Sequence, residues 1–137
     1  MTGRDAIKTM ITECYKAREK GDIDGLMAAF HPEAVFELSG DPDAFAVAGA
    51  VEGHYNVRAS MAGLIESFTF ISREMVSVVI EGERAAVHSR LKVKYNPTNR
   101  TFASDVLDTF RFKDGKIVEL VEFADTALIR DIVQGKS

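Results

Sequence analysis

The sequence predicts an α+β fold in which a curved antiparallel sheet packs on three N-terminal helices. Apolar residues recur every three or four positions in the first half of the chain, which is the period of a helix, and alternate with polar residues from about residue 70 onward. Short turns separate the alternating segments, so neighbouring strands are expected to run antiparallel. This layout is typical of the α+β class, and a curved sheet beneath helices leaves an internal pocket.

The composition fits one domain spanning residues 1–137 and argues against several kinds of partner. Hydrophobic residues make up 46% of the chain and the net charge is −4, with basic residues scattered, so we expect no nucleic-acid partner. No apolar run approaches the roughly 20 residues of a membrane span, and the N-terminus lacks the layout of a signal peptide. The one cysteine, Cys14, cannot form an internal disulfide. We therefore expect a cytoplasmic protein with no membrane partner.

Amphipathic segments predict the helices. The first follows a possible capping box formed by Thr2 and Asp5, and Gly21 is placed to end it. Its inward stripe consists of Ile7, Met10, Ile11, Cys14, Tyr15 and Arg18. A short second helix is expected to carry Phe30 and to stop before Pro32, because the residue preceding a proline avoids the helical conformation. A third helix is expected after residue 53.

Strands account for most of the remaining chain. A short strand is predicted at Ala34–Leu38, and residues 39–52 are expected to form a long loop. Alternation and turn residues then predict four strands, at Phe70–Ile80, Arg84–Tyr95, Arg100–Phe112 and Lys116–Ala124. The tail from Thr126 to Val133 has the spacing of one or two further helical turns.

Two segments carry a resemblance to a known family. The run Phe-His-Pro-Glu-Ala-Val-Phe at Phe30–Phe36 and the run Phe-Lys-Asp-Gly-Lys-Ile-Val-Glu at Phe112–Glu119, in this order of elements, resemble SnoaL-like proteins of the nuclear transport factor 2-like fold. This group also holds ketosteroid isomerase, limonene epoxide hydrolase and polyketide cyclases. The resemblance implies a cone-shaped barrel with an internal pocket for a small lipophilic molecule, and a homodimer formed through the outer sheet face.

Asp108 is the first candidate for chemistry. Alternation places it on the same strand face as Val106 and Phe110, which is the face expected to be buried. Desolvation raises the pKa of a carboxyl, so Asp108 is predicted to be a proton donor near neutral pH. The alternative is a structural acid that hydrogen-bonds a backbone amide or a tyrosine. The resemblance implies that Asp108 matches the protonated aspartate of ketosteroid isomerase, whereas the base and tyrosine of that enzyme match Leu38 and Cys14.

Glu122 is the second candidate, and its orientation depends on the preceding hairpin. A three-residue turn at 113–115 with a glycine bulge directs Glu122 inward, whereas a two-residue Asp114-Gly115 turn directs Phe123 inward instead. The resemblance favours the inward orientation, because limonene epoxide hydrolases and polyketide cyclases have a catalytic aspartate at the matching position. The alternative is a solvated glutamate at the rim of the pocket.

Tyr15 is the third candidate, as a donor that orients a ligand carbonyl or Asp108; the alternative is an ordinary core tyrosine. The residues expected to contact a ligand are Phe30, His31, Phe36, Met61, Val106, Phe110 and Leu120.

These candidates predict a small-molecule-binding protein that is a cofactor-free isomerase, cyclase or hydrolase. Its substrate would be a small lipophilic carbonyl or epoxide compound, with Asp108 as acid and Glu122 as base. No histidine pair has metal-ligand spacing, and no nucleotide-binding motif is present, so neither a metal nor another cofactor is expected. Two alternatives stay open on the same fold: a non-catalytic ligand-binding module and a protein-dimerisation module.

Overall fold

The computed structural model describes residues 3–43 and 48–136, which form four helices and six strands. In chain order the elements are α1 (Arg4–Lys20), α2 (Ile23–Ala28), β1 (Phe30–Leu38), β2 (Gly49–Glu52), α3 (His54–Ser67), β3 (Phe68–Glu81), β4 (Arg84–Tyr95), β5 (Arg100–Lys113), β6 (Lys116–Phe123) and α4 (Thr126–Val133). The α+β class predicted from the sequence is confirmed. None of the helices in the described ranges is long and apolar enough to cross a membrane.

The six strands form one sheet with the order β2-β1-β6-β5-β4-β3. All neighbouring pairs are antiparallel except β1 and β6, which run parallel. The sheet is open, with β2 and β3 as its two edges in the described part of the chain. Register shifts interrupt the β1–β6, β3–β4 and β5–β6 pairs. Because such irregularities bend a strand and increase its twist, they help the sheet to curve around the helices.

The first helix ends where the sequence predicts. Gly21 has φ of 70°, and its N–H bonds back to the last turn of α1. Asp22 then caps α2 by accepting a hydrogen bond from the backbone N–H of Gly25, at 2.9 Å. The N-cap of α1 is Gly3, and the predicted capping residue Thr2 lies outside the described residues.

Two local predictions were wrong. Phe30 begins β1 instead of ending α2, because the chain there already pairs with β6: the N–H of Ile117 bonds to the carbonyl of Ala29, at 2.8 Å. The segment predicted as a loop contains β2, which pairs with the end of β1. Only four residues form this strand, which is too short for alternation to be detected. Residues 44–47 of the predicted loop lie outside the described residues.

The core consists of two apolar clusters under the concave face of the sheet. The larger cluster joins α1, α2 and α3 to the strands, and includes Ile7, Ile11 and Phe110. The smaller one consists of Phe68, Leu91, Val93 and Val106, with Ile129 of α4 packed against it. Residues of both clusters border one cavity, so the space lies between the two parts of the core.

Candidate functional site

An apolar cavity occupies the concave side of the sheet and measures about 820 Å³ out to its open mouth. Most of its wall is hydrophobic. The side chains that bring oxygen or nitrogen atoms to the wall are Tyr15, Arg18, Arg73, Ser104, Asp108 and Glu122.

Asp108 lies in this wall with only 1% of its surface exposed, on the face predicted by alternation. Its Oδ2 accepts a hydrogen bond from the Tyr15 hydroxyl, at 2.6 Å. No N–H or O–H group of the described residues donates to its Oδ1, and the Glu122 carboxyl is close enough to hydrogen-bond with Asp108 when one of the two is protonated. Burial raises the pKa of Asp108 well above the ordinary 3.8, and the negative charge of Glu122 raises it further. The Tyr15 hydrogen bond and the charge of Arg73 oppose this rise only in part.

Tyr15 is held between two groups that fix its ring. The edge of its ring meets Phe110, with centroids 6.1 Å apart, and the guanidinium of Arg73 lies 3.6 Å from its centroid. Burial, followed by the charge of Asp108, raises the pKa of Tyr15. The phenol therefore keeps its proton near neutral pH and donates a hydrogen bond to Asp108. Cys14, next to it on α1, also lines the cavity, and burial raises the pKa of its thiol to about 12.

The hairpin that orients Glu122 differs from both alternatives predicted from the sequence. Asp114 and Gly115 form a two-residue turn, with φ of 54° and 74°. The register then shifts, because Phe112 pairs with Ile117 and Arg111 pairs with Glu119. Val118 is thus an extra residue in β6, that is, a β-bulge.

A two-residue turn alone would direct Glu122 away from the cavity, and the bulge turns its side chain toward it. Asp108 is directly opposite Glu122, and both line the cavity. Phe123, which the shorter turn was predicted to direct inward, is 45% exposed and pairs with Leu107. Directly opposed residues of an antiparallel pair have Cβ atoms about 5 Å apart, so the two carboxyl groups share one part of the cavity.

The predicted ligand contacts divide into two groups. Phe36, Met61, Val106 and Leu120 line the cavity. Phe30, His31 and Phe110 are not part of its lining. Phe30 is packed in the larger core cluster, and Phe110 lies behind the Tyr15 ring. His31 is directed toward the β5–β6 turn, where its Nε2 lies 3.6 Å from Asp114 Oδ2.

Two arginines of the cavity wall were not predicted as site residues. Arg73 donates from Nε to Glu19, at 2.7 Å, and from Nη1 to the buried Ser89 hydroxyl, at 2.8 Å. Arg18 donates from Nη2 to the carbonyls of Leu64 and Phe68. Burial lowers the pKa of Arg18 to about 10.

The sequence contains a signal for one arginine only. Arg18 continues the apolar stripe of α1, and a charged residue on a buried stripe indicates a special environment. Arg73 follows a register shift between Phe70 and Ser72 that brings Phe70 and Arg73 to the same face. Simple alternation places those two residues on opposite faces, so the sequence does not predict that Arg73 faces the cavity.

Metal ligands are not grouped in the described residues, where no three His, Cys, Asp or Glu side chains lie close enough to hold an ion. The two positions that the resemblance assigns to the base and tyrosine of ketosteroid isomerase, Leu38 and Cys14, both line the cavity. They bring no carboxylate or hydroxyl to it. Tyr15, one position along α1, supplies the hydroxyl that reaches Asp108.

A curved sheet wrapped over three helices around an apolar cavity defines the class of nuclear transport factor 2-like folds. Within it, the model of the SnoaL-like domain matches residues 2–120, and the chain belongs to this family. No curated protein compared with the chain matches it.

Solved structures of the same fold cover nearly the whole chain. A candidate isomerase from Bacillus subtilis has a TM-score of 0.88 at 12% identity and covers 99% of this chain and 98% of its own. A candidate isomerase from Rhodopseudomonas palustris has a TM-score of 0.83 at 19% identity, and the match covers 99% of this chain and 100% of the isomerase. TerC, co-crystallised with polyporic acid, has a TM-score of 0.79 at 17% identity, and the match covers 94% of this chain and 98% of TerC. Identities this low establish the fold only.

Proposed function

We propose that the protein binds a small lipophilic molecule in the cavity and converts it by acid–base chemistry that needs no cofactor. The proposal rests on the pair of carboxyl groups on the concave face, where Asp108 is fully buried and Glu122 lies directly opposite it. Two carboxyl groups in one apolar space separate their proton affinities, which provides an acid and a base. An isomerase, cyclase or hydrolase acting on a carbonyl or epoxide compound can use this combination.

The hydrogen bond from Tyr15 assigns a position to the acidic proton. Because the Tyr15 hydroxyl donates to Oδ2 of Asp108, the proton of a neutral Asp108 belongs on Oδ1, to which no described residue donates. From there it can be donated to a carbonyl or epoxide oxygen of the ligand. Glu122 then serves as the base that accepts a proton from the ligand, and Tyr15 keeps Asp108 in position.

The relatives are consistent with this proposal. Two of the similar structures are candidate isomerases, and TerC was crystallised with polyporic acid. A further protein of ketosteroid isomerase-like fold, from Catenulispora acidiphila, was crystallised in complex with trimethylamine. The two complexes support small-molecule binding as a function that this fold can have.

A non-catalytic ligand-binding protein is the second candidate. The observation that favours it is Leu38, which lines the cavity at the position that the resemblance assigns to the base of ketosteroid isomerase. In such a protein Asp108 would be only an internal hydrogen-bond donor to the ligand.

Substitution of the two inner carboxyl groups separates these candidates. We expect Asp108→Asn and Glu122→Gln each to lower turnover of a responsive ketone or epoxide, found by screening a panel, by roughly 10²- to 10⁴-fold. Asp105→Asn, on the outer face of the same strand, is the matched control. Full activity of both inner variants would contradict the assignment. Ligand binding by the wild type without any turnover would favour the non-catalytic candidate.

We also propose a homodimer formed through the outer sheet face. Leu107 is 40% exposed and pairs with the exposed Phe123, and Val79 lies nearby on the same face. Arg90 and Asp105 pair with each other at the border of this apolar surface, at 3.6 Å, so their charges are balanced within one chain and do not oppose the approach of a second copy. Sedimentation equilibrium is expected to give twice the mass of 15.1 kDa for the wild type and a monomer for Leu107→Glu. A monomeric wild type would contradict the proposal.

A further inference from the structure

The guanidinium of Arg18 differs from an ordinary surface arginine in its burial and in its partners. Only 9% of the residue is exposed, and it lines the cavity from the inward stripe of α1. Its Nη2 donates to the carbonyls of Leu64 and Phe68, at 3.4 and 3.2 Å. Its Cζ lies 3.9 Å from the centroid of the Phe70 ring. One nitrogen and one face of the group are therefore used by the protein.

The remaining donors of Arg18 are not used within the described part of the chain. Nε and Nη1 donate to none of its residues, and no ion pair there includes Arg18. Arg73, on the same cavity, is in the opposite situation, because Glu19 neutralises it at 2.7 Å and Ser89 takes a second hydrogen bond. The cavity thus contains one neutralised guanidinium and one whose charge has no direct partner.

A buried charge without a partner is costly, and the usual remedy is an opposite charge with hydrogen bonds to it. The charge of Glu122 acts more strongly on Arg18 than that of Glu19, but Arg18 and Glu122 do not form an ion pair. A guanidinium presents its N–H groups as a planar fork that matches two oxygens or one oxyanion. The cavity is open at its mouth, so the missing partner can come from a bound molecule.

We propose that Arg18 is an oxyanion-binding residue, and that the ligand is an amphipathic molecule with an apolar body and one acidic oxygen. The acidic oxygen is a carboxylate or an enolate, and the apolar body lies against the hydrophobic wall. This inference deepens the proposed function and rests on it, because it assumes that the cavity is the ligand site.

The inference also gives Arg18 a part in the proposed proton transfer. When Glu122 takes a proton from a C–H or O–H group of a neutral ligand, the electron pair stays on the ligand as an enolate or related oxyanion. The carboxylate charge of Glu122 disappears in the same step. Until Asp108 donates its proton to that oxygen, the net charge of the cavity does not change, and the ligand oxyanion supplies the direct counter-charge that Arg18 lacks.

A pair of probes of nearly equal shape tests the inference: 2-naphthoate, which is anionic near neutral pH, and 2-naphthamide, which is neutral. Isothermal titration calorimetry of the wild type is expected to show that 2-naphthoate binds at least about tenfold more tightly than 2-naphthamide. Arg18→Gln keeps N–H donors for the Leu64 and Phe68 carbonyls but removes the charge, and is expected to lose this preference while still binding the amide. Arg18→Lys is expected to restore part of it.

Arg111→Gln is the matched control, because Arg111 faces away from the cavity and pairs with Glu119, at 3.8 Å. It is expected to keep the wild-type preference. Equal binding of the two probes by the wild type would overturn the inference and leave the cavity as a ligand site. Binding of neither probe would overturn the inference and also count against the cavity as a ligand site. A preference for 2-naphthoate that persists in Arg18→Gln would also overturn the inference. If that variant is unstable, the absence of a preference in the wild type still can.

Discussion

The two oxygens of the Asp108 carboxyl have different surroundings. Oδ2 accepts the Tyr15 hydrogen bond, whereas Oδ1 is buried and accepts no hydrogen bond from the described residues. Alternation along β5 was sufficient to predict that this residue faces inward, because the strand has no irregularity around it. Its contact with Tyr15 was only one of several possibilities at the sequence level, because the contact depends on how α1 packs across the sheet.

The raised pKa of Asp108 predicts how stability depends on pH. Below about pH 4 the carboxyl is protonated in both the folded and the unfolded chain. As the pH rises further, the unfolded chain loses this proton while the fold retains it, so the free energy of unfolding decreases until the folded pKa is reached. Asp108→Asn has no such proton and keeps an oxygen for Tyr15.

We therefore expect the free energy of unfolding of Asp108→Asn to rise relative to that of the wild type as the pH increases from about 4 toward neutrality. The expected change is up to about 1.4 kcal/mol per pH unit. Urea denaturation across this range measures the difference, and Asp105→Asn is the control on the same strand. A difference in free energy of unfolding that does not depend on pH, or that shifts toward the wild type as the pH rises, would contradict a raised pKa of Asp108.

Regular strands were predicted well from the sequence, and irregular ones were not. β4 has the predicted bounds, Arg84–Tyr95, because turn residues flank it on both sides and its register with β5 is uninterrupted. In β6 the extra residue Val118 reverses which side chains point toward the cavity, compared with the expectation from a two-residue turn. A bulge depends on cross-strand pairing and leaves little trace in the local sequence, and for this reason the orientation of Glu122 stayed open.

Two glycines in different elements should respond in opposite ways to alanine. Gly115 has φ of 74° in the β5–β6 turn, and Gly63 lies inside α3; no heavy atom lies near an added Cβ at either site. Gly115→Ala is expected to lower the free energy of unfolding by about 1 kcal/mol through backbone strain. Gly63→Ala is expected to raise it by about 0.5–1 kcal/mol, because alanine favours the helix. Thermal unfolding of both variants measures this contrast, and a change of the same sign in both would contradict it.

At the scale of the whole molecule, the cavity results from the way in which the sheet, α1 and α3 enclose a space that the core does not fill. The prediction of a pocket rested on the order of helices and strands alone. The sequence did not predict the full polar lining, because Arg73 reaches the cavity only through an irregular edge strand. The chemistry proposed for the cavity depends on whether the enclosure keeps Asp108 protonated.

A carbon-13 NMR titration of the aspartate carboxyl groups tests this claim most directly, with the Asp108 signal assigned by its loss in Asp108→Asn. We predict that the Asp108 carboxyl remains protonated well above its ordinary pKa of 3.8, and that Glu122→Gln lowers the midpoint by removing the neighbouring negative charge. An Asp108 signal that titrates at or below the ordinary value, unaffected by Glu122→Gln, would contradict the account.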